Sequence, residues 1–193
     1  GCLVLAKTAT AARALTKSFR ARDAIKTYAA LTVGVPEPEE SVIDAALAKG
    51  AHGAGRERMS VVDSRDEDAK FARTRYRVME RAAQRAAVVA LQPLTGRTHQ
   101  LRAHMVYVGT PIQGDGKYGG SGQDNLGDGW GAQLGGDLSN KLHLHARSLT
   151  LEHPVTRKTL QVKAALPAHM LHTWQTFQWD MADAPDDPFA EGW

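Results

Sequence analysis

The sequence predicts an α+β fold, a mixed and largely antiparallel sheet with helices packed on it. Strand-like runs dominate the chain, and a few segments with helical spacing fall between them. Residues 72–78 alternate packing side chains with arginines, which puts unlike residues on the two faces of a strand. No internal repeat is present. At 193 residues the chain is long enough to bury a sizeable core, as one large domain or two small ones.

The elements follow in order. "CLVLAK" reads as a buried strand. "TATAARALTKSFRARD" reads as a helix that Thr8 or Thr10 can cap; Leu15 and Phe19 lie one turn apart on one face, and Arg13, Lys17 and Arg20 form a basic ridge on the other. "IKTYAALTVGV" is rich in β-branched residues and stops at Pro36, so it is a strand. "PEPEES" is a loop, "SVIDAALAKG" a short helix ending at Gly50, and "HGAGRER" a surface turn. "ERMSVV" is a strand. In "AKFARTRYRVME", Ala72, Thr74, Tyr76 and Val78 face one way and Arg73, Arg75 and Arg77 the other. "AAVVALQPL" is a further strand. "THQLRAHMVYVG" carries Leu101, Met105 and Val108 at helical spacing, with Thr98 as cap and Gly109 as stop. Residues 113–140, full of Gly, Asp and Asn, make a loop of a length that is usually functional or disordered. "LHLHA", "SLTLEH" and "LQVKA" are strands, with "HPVTRKT" turning between the last two. "PAHMLHTWQTF" is the last helix.

The net charge of +3 conceals an asymmetry. Residues 180–193 hold five acidic side chains and no Lys or Arg, so the other 179 residues carry 24 basic and 16 acidic groups, a balance of +8. A basic body with an acidic, flexible tail suits a polyanionic partner, or simply a solvated surface. No apolar run reaches the length of a membrane span, and the first residues lack the pattern of a signal peptide. A single cysteine, Cys2, excludes an internal disulfide and a multi-cysteine zinc site, and agrees with a reducing, cytoplasmic setting, an organelle being the other option.

Four chemistries are open to such a composition. His143 and His145 share a strand face, but no H-E-x-x-H and no third ligand is evident, so the eight histidines are structural and no metal is implied. "GDGKYGGSG" fails as a phosphate-binding loop, because Tyr118 stands where Ser or Thr is needed and Pro111 where the first glycine is needed. No G-x-S-x-G is present, and Cys2 has no histidine near it in sequence. RNA chemistry fits best. Basic ridges supply phosphate contacts, and a base to be modified must be held outside its stack against a ring or an apolar wall. Tyr28, beside Lys26, is a candidate ring, although its spacing alone favours a core strand tyrosine.

"PLTGRTHQLRAHMVYVGTPIQGDGKYG" resembles the signature of the RluA-type family of RNA pseudouridine synthases: Thr95 to Arg102, then His104, Gly109, Pro111 to Asp115, and Tyr118-Gly119. "GCLVLAKTATAARAL", "KTYAALTVG" and "LHLHARSLTLEHPVTRKTLQVKAALPAHM" are similar to other family segments and come in the family order, so the resemblance covers residues 1–179 as one catalytic domain. It is strongest to the RluC-like branch, which acts on large-subunit ribosomal RNA.

The resemblance implies the pseudouridine-synthase catalytic fold lacking its first strands, and conversion of uridine to pseudouridine in 23S-type rRNA by a cofactor-free, metal-free monomer. Carried over by position, Tyr28 stacks on the target base and takes part in proton loss, and Arg102 pairs with the nucleophilic aspartate. Lys26, Arg97, Thr98, His99, Arg73 and Arg75 are candidate substrate contacts. The family's aspartate sits in His-Arg-Leu-Asp-x-x-Thr-Ser-Gly, and Gly1 matches the final glycine, so that residue is expected upstream of this chain. None of Asp23, Asp44, Asp63 or Asp115 lies in that motif. The chain by itself is therefore expected to be inactive. The competing expectation is a non-catalytic RNA-binding or ribosome-assembly protein that retains the fold.

Overall fold

The computed structural model describes residues 1–52, 56–118, 134, 138–179 and 187–190. Its centre is β6 (Ala86–Pro93), whose first six residues are all buried because both faces of the strand are covered. Around it six strands pair in the order β2 (Glu40–Asp44), β5 (Arg73–Ala82), β6, β1 (Ile25–Val33), β7 (Leu144–Glu152) and β8 (Thr159–Lys163). A separate hairpin joins β3 (Leu47–His52) to β4 (Arg56–Val61). Every pairing among the described strands is antiparallel, so the parallel component of a mixed sheet is not found there.

The register sorts the side chains onto two faces. Tyr76, Leu91 and Tyr28 are direct cross-strand partners, so they lie on one face; Arg77, Ala90 and Ala29 lie on the other. The first face packs Ala30, Tyr76, Val89 and Leu91 against Leu101 and Met105 of α2 (Gln100–Tyr107). The second packs Ala29, Leu31 and Val88 against Met170 and Trp174 of α3 (Ala168–Thr176). At the far end α1 (Ala9–Ala21) sets Leu15 and Phe19 on Leu149 and Leu151 of β7. Thr8 caps α1 by accepting the Ala11 N–H at 3.1 Å, and Arg13, Lys17 and Arg20 stay exposed on its outer side.

Three expectations are corrected. Residues 41–50 are not a helix: Glu40–Asp44 pairs with Arg73–Arg77, and Leu47–His52 pairs with β4. Val42 and Ile43 suit a strand, and ladder bonds on both segments outweigh the modest helix preference of three alanines. Residues 1–6 form no strand. They make one backbone bond, Cys2 N–H to the Ala146 carbonyl at 2.8 Å, with Cys2 and Val4 turned inward and Leu3 and Leu5 exposed by 81% and 77%. The cap of α2 is His99, not Thr98; its left-handed φ of 50° leaves it no side-chain cap bond. Part of the acidic tail, residues 187–190, is described. Pro188 and Phe189 are buried on the arginine face of β5, where Arg77 donates to the Pro188 carbonyl at 2.7 Å and the Arg75 guanidinium lies 4.8 Å from the Phe189 ring. Residues 119–133 and 135–137 of the expected long loop, 53–55 of the expected turn, and 180–186 and 191–193 of the tail lie outside the described residues.

Buried histidines tie the layers together. His104 on α2 bonds Thr74 Oγ1 at 2.8 Å and the Ala45 carbonyl at 3.0 Å. His143 bonds the Lys141 carbonyl at 2.7 Å and Thr173 Oγ1 of α3 at 2.9 Å, edge-on to His169. Burial pushes His143 down to about 4, since a charged ring there loses its hydration. The unfolded chain thus takes up the proton before the folded one as pH falls. Stability is full above the ordinary histidine value of about 6.5 and declines until about pH 4, by about 3 kcal/mol from this group. Urea midpoints measured from pH 7 to pH 4 are expected to fall less steeply for His143→Gln than for the parent; equal slopes would contradict this assignment.

Candidate active-site cleft

The turn that precedes α2 is built around one glutamine. Gln100 is buried, and its amide fills its hydrogen-bonding positions: Oε1 accepts from Thr95 Oγ1 at 2.7 Å and from the Arg97 N–H at 3.1 Å, while Nε2 donates to the Arg73 carbonyl at 2.7 Å and to Thr74 Oγ1 at 3.0 Å. Thr95 in turn accepts the Arg73 N–H at 2.9 Å. These bonds stitch residues 95–97 to the start of β5 and hold the turn over the end of β1. Lys26 Nζ comes within 3.9 Å of where a Cβ on Gly96 would stand.

A cleft of about 210 Å3 lies beneath this turn, lined by Lys26, Tyr28, Arg97, His99, Arg102 and Leu144 among others. Tyr28 is half-buried, with part of its ring packed on the core beside Leu91. Tyr28 thus touches the core and also lines the cleft. Burial raises its phenol above the ordinary range, with Cys2 adding a smaller push, so the ring is neutral near pH 7. Lys26 is lowered by the loss of hydration. A larger groove of about 700 Å3 adjoins, and Lys26 and Arg97 share it with Phe19, Arg20 and Arg22 of the α1 side. Arg97 donates from Nε to the Phe71 carbonyl at 3.0 Å. Thr98 is exposed on the turn and is not part of the cleft lining.

Arg102 leaves α2 toward the cleft, but it is not idle. Its Nε donates to Asp115 Oδ2 at 2.8 Å and its Nη2 to Asp115 Oδ1 at 2.5 Å. The arginine side chain is 17% exposed and the aspartate 1%. Asp115 Oδ1 also accepts the N–H groups of Lys117 and Tyr118, at 3.1 and 3.0 Å. The Arg102 and Arg58 guanidinium groups each lie 4.8 Å from the centre of the Tyr118 ring. The Tyr118 hydroxyl accepts the Met59 N–H at 2.9 Å and meets His99 Nδ1 at 3.1 Å. Desolvation first, then Arg102 and Lys117, lowers His99, so the imidazole is held toward its neutral form. Among the described residues no cluster of three His, Cys, Asp or Glu is placed to hold a metal ion, and no helix is long and apolar enough to cross a membrane.

Residues 1–107 match the family described as RNA pseudouridylate synthase. The chain belongs to this family. It is 37% identical over 170 residues to ribosomal large subunit pseudouridine synthase C of Vibrio cholerae, covering 88% of this chain and 49% of that protein. It is 36% identical over 163 residues to the dual-specificity RNA pseudouridine synthase RluA of Salmonella typhi, covering 84% and 67%. The chain thus spans about half the length of the first of these relatives. Among solved structures, human RNA pseudouridylate synthase domain containing 4 superposes with a TM-score of 0.73 at 31% identity, over 94% of this chain and 72% of that one.

Within this pseudouridylate synthase domain the expected site residues divide. Tyr28, Lys26, Arg97, His99 and Arg102 share one cleft. Arg73 and Arg75 do not join them, because the register turns their side chains to the opposite face of the sheet. There Arg73 lies 3.3 Å from Asp44 and Arg75 3.7 Å from Glu40, carboxylates carried by the neighbouring edge strand β2. Asp115 is the residue that sequence reasoning passed over. Its signal was the Gly-Asp pair at the end of the matched stretch. Gly114 has φ +72°, and a Cβ there would stand 2.1 Å from the Lys141 carbonyl, so only glycine lets the chain turn the carboxylate inward. Because every polar position of Gln100 is used, Gln100→Leu strands four partners under the turn. A loss of about 3 kcal/mol in urea unfolding is expected; a loss below about 1 kcal/mol would show the turn is held by other means.

Proposed function

We propose that the intact protein isomerises specific uridines of large-subunit ribosomal RNA to pseudouridine, and that this domain supplies the base-stacking and cationic walls of its active cleft. The observation that carries the reading is the convergence of Tyr28 and Arg102 on one cleft, with Lys26 and Arg97 at its rim. The activities named for the relatives support RNA, and ribosomal RNA in particular, as the substrate. The reading extends to a cofactor-free monomer working in the cytoplasm.

In this reading the uracil leaves its stack and lies on the Tyr28 ring, while phosphates on either side meet Lys26 and Arg97. The C1′–N1 bond breaks, the base turns, C1′ bonds to C5, and the C5 hydrogen leaves as a proton while N1 gains one. The nucleophilic aspartate expected upstream of Gly1 starts the reaction, and Arg102 keeps that carboxylate ionised and aimed. A phenol whose burial favours the neutral form is suited to stacking more than to abstracting the C5 proton.

Expression of the full reading frame in cells lacking the gene is expected to produce a carbodiimide-dependent primer-extension stop in large-subunit rRNA. Absence of any protein-dependent stop sinks the enzymatic reading, and retained RNA binding in that case selects the non-catalytic alternative. In the same protein, Arg102→Ala is expected to lower kcat by about 100-fold or more with RNA affinity little changed. Lys26→Ala and Arg97→Ala are expected to weaken binding and reduce its salt slope by about one each. Wild-type turnover by Arg102→Ala would show that its role is wrongly assigned.

A further inference from the structure

A guanidinium group is a planar fork with five N–H donors. In Arg102 the edge made by Nε and Nη2 is taken by both oxygens of Asp115. The second edge, made by Nη1 and the outer hydrogen of Nη2, is not taken by Asp115, and Arg102 is one of the cleft's lining residues. One face of the fork lies against the Tyr118 ring. Asp115 is itself fixed: it is 1% exposed, and Oδ1 also accepts two backbone N–H groups from the turn that follows it. Gly114 admits no side chain, so the turn that carries Asp115 is pressed against the Lys141 carbonyl.

We propose that Asp115 is a positioning residue that clamps the inner edge of Arg102 so that only the outer edge meets an anion in the cleft. This rests on the reading of Arg102 as the working cation of that cleft. Two consequences follow from the geometry. Asp115 cannot stand in for the upstream nucleophile, because both its oxygens are committed to Arg102 and it has almost no exposed surface. Arg102 serves two carboxylates at once, one on each edge, which a lysine ammonium cannot do with fixed direction.

The test uses the intact protein and a short RNA substrate. Asp115→Asn keeps the side-chain size and can still accept the Lys117 and Tyr118 N–H groups, but it loses one acceptor and turns a donor toward the guanidinium. The expected result is a fall in kcat of about 100-fold with KM for RNA and the melting temperature nearly unchanged. In an Arg102→Ala background the same change is expected to add less than about threefold, since the two residues act as a unit. A second variant does not depend on the folding of the first: Arg102→Lys is expected to be as slow as Arg102→Ala. Full turnover by Asp115→Asn, additive losses in the double variant, or wild-type turnover by Arg102→Lys each overturn the clamp while leaving the cleft reading in place. Wild-type turnover by Arg102→Ala removes the cleft reading itself, and the clamp with it.

Discussion

A buried carboxylate under an arginine sets the shape of this domain's cleft. Removing one partner of such a pair typically costs about 3–5 kcal/mol, whereas replacing both by well-packed apolar groups can be neutral. The Arg102–Asp115 pair is therefore better understood as a device for direction than as a source of stability. It needs a rigid base on each side. On one side α2 supplies it, with Leu101 and Met105 sunk in the main core. On the other, the Gly114 turn supplies it, and Tyr118 closes the gap.

The position of α2 explains its odd composition. A helix on the surface of a sheet needs one apolar stripe. This one is wedged between two layers. Leu101 and Met105 face the six-stranded sheet, while Ala103 and Val106 face the β3–β4 hairpin through Leu47, Met59 and Tyr118. The polar residues left over are not solvated spares. His104 joins Thr74 to Ala45, Gln100 joins the turn to β5, and Arg102 lines the cleft while holding Asp115. Satisfied polar groups in such a place specify one arrangement, because any shift of the helix leaves several of them without partners.

How much could be read beforehand follows from range. The strands β1, β5 and β6 announce themselves through β-branched residues and period-2 alternation, and α2 through the spacing of Leu101, Met105 and Val108. Residues 41–50 did not, because their helix preference is local and weak, while Glu40–Asp44 finds its ladder partner some thirty residues on, in β5, and Leu47–His52 finds its own in the hairpin strand β4. The first six residues misled in the opposite way: an apolar run reads as a strand, but a strand exists only with a partner. For the site, the cleft group of Tyr28, Lys26, Arg97 and Arg102 came from the motif, whereas the fate of Arg73 and Arg75 needed the register. Alternation says that two faces differ; it does not say which face holds the cleft. The partner of Arg102 within the chain stayed hidden because thirteen residues separate it from Asp115, and no helical or strand period connects them.

In the proposed reading the face bearing Tyr28 and Arg102, and not the face bearing Arg73 and Arg75, receives the nucleotide. A structure of the intact protein bound to a uridine-containing RNA decides between the two faces. The expected result is a single uracil lifted from its stack onto the Tyr28 ring, with the outer edge of Arg102 toward the reacting centre and Asp115 still on its inner edge. A base seated on the arginine face of β5, or an Arg102 swung away from the cleft with Asp115 facing RNA in its place, would contradict it.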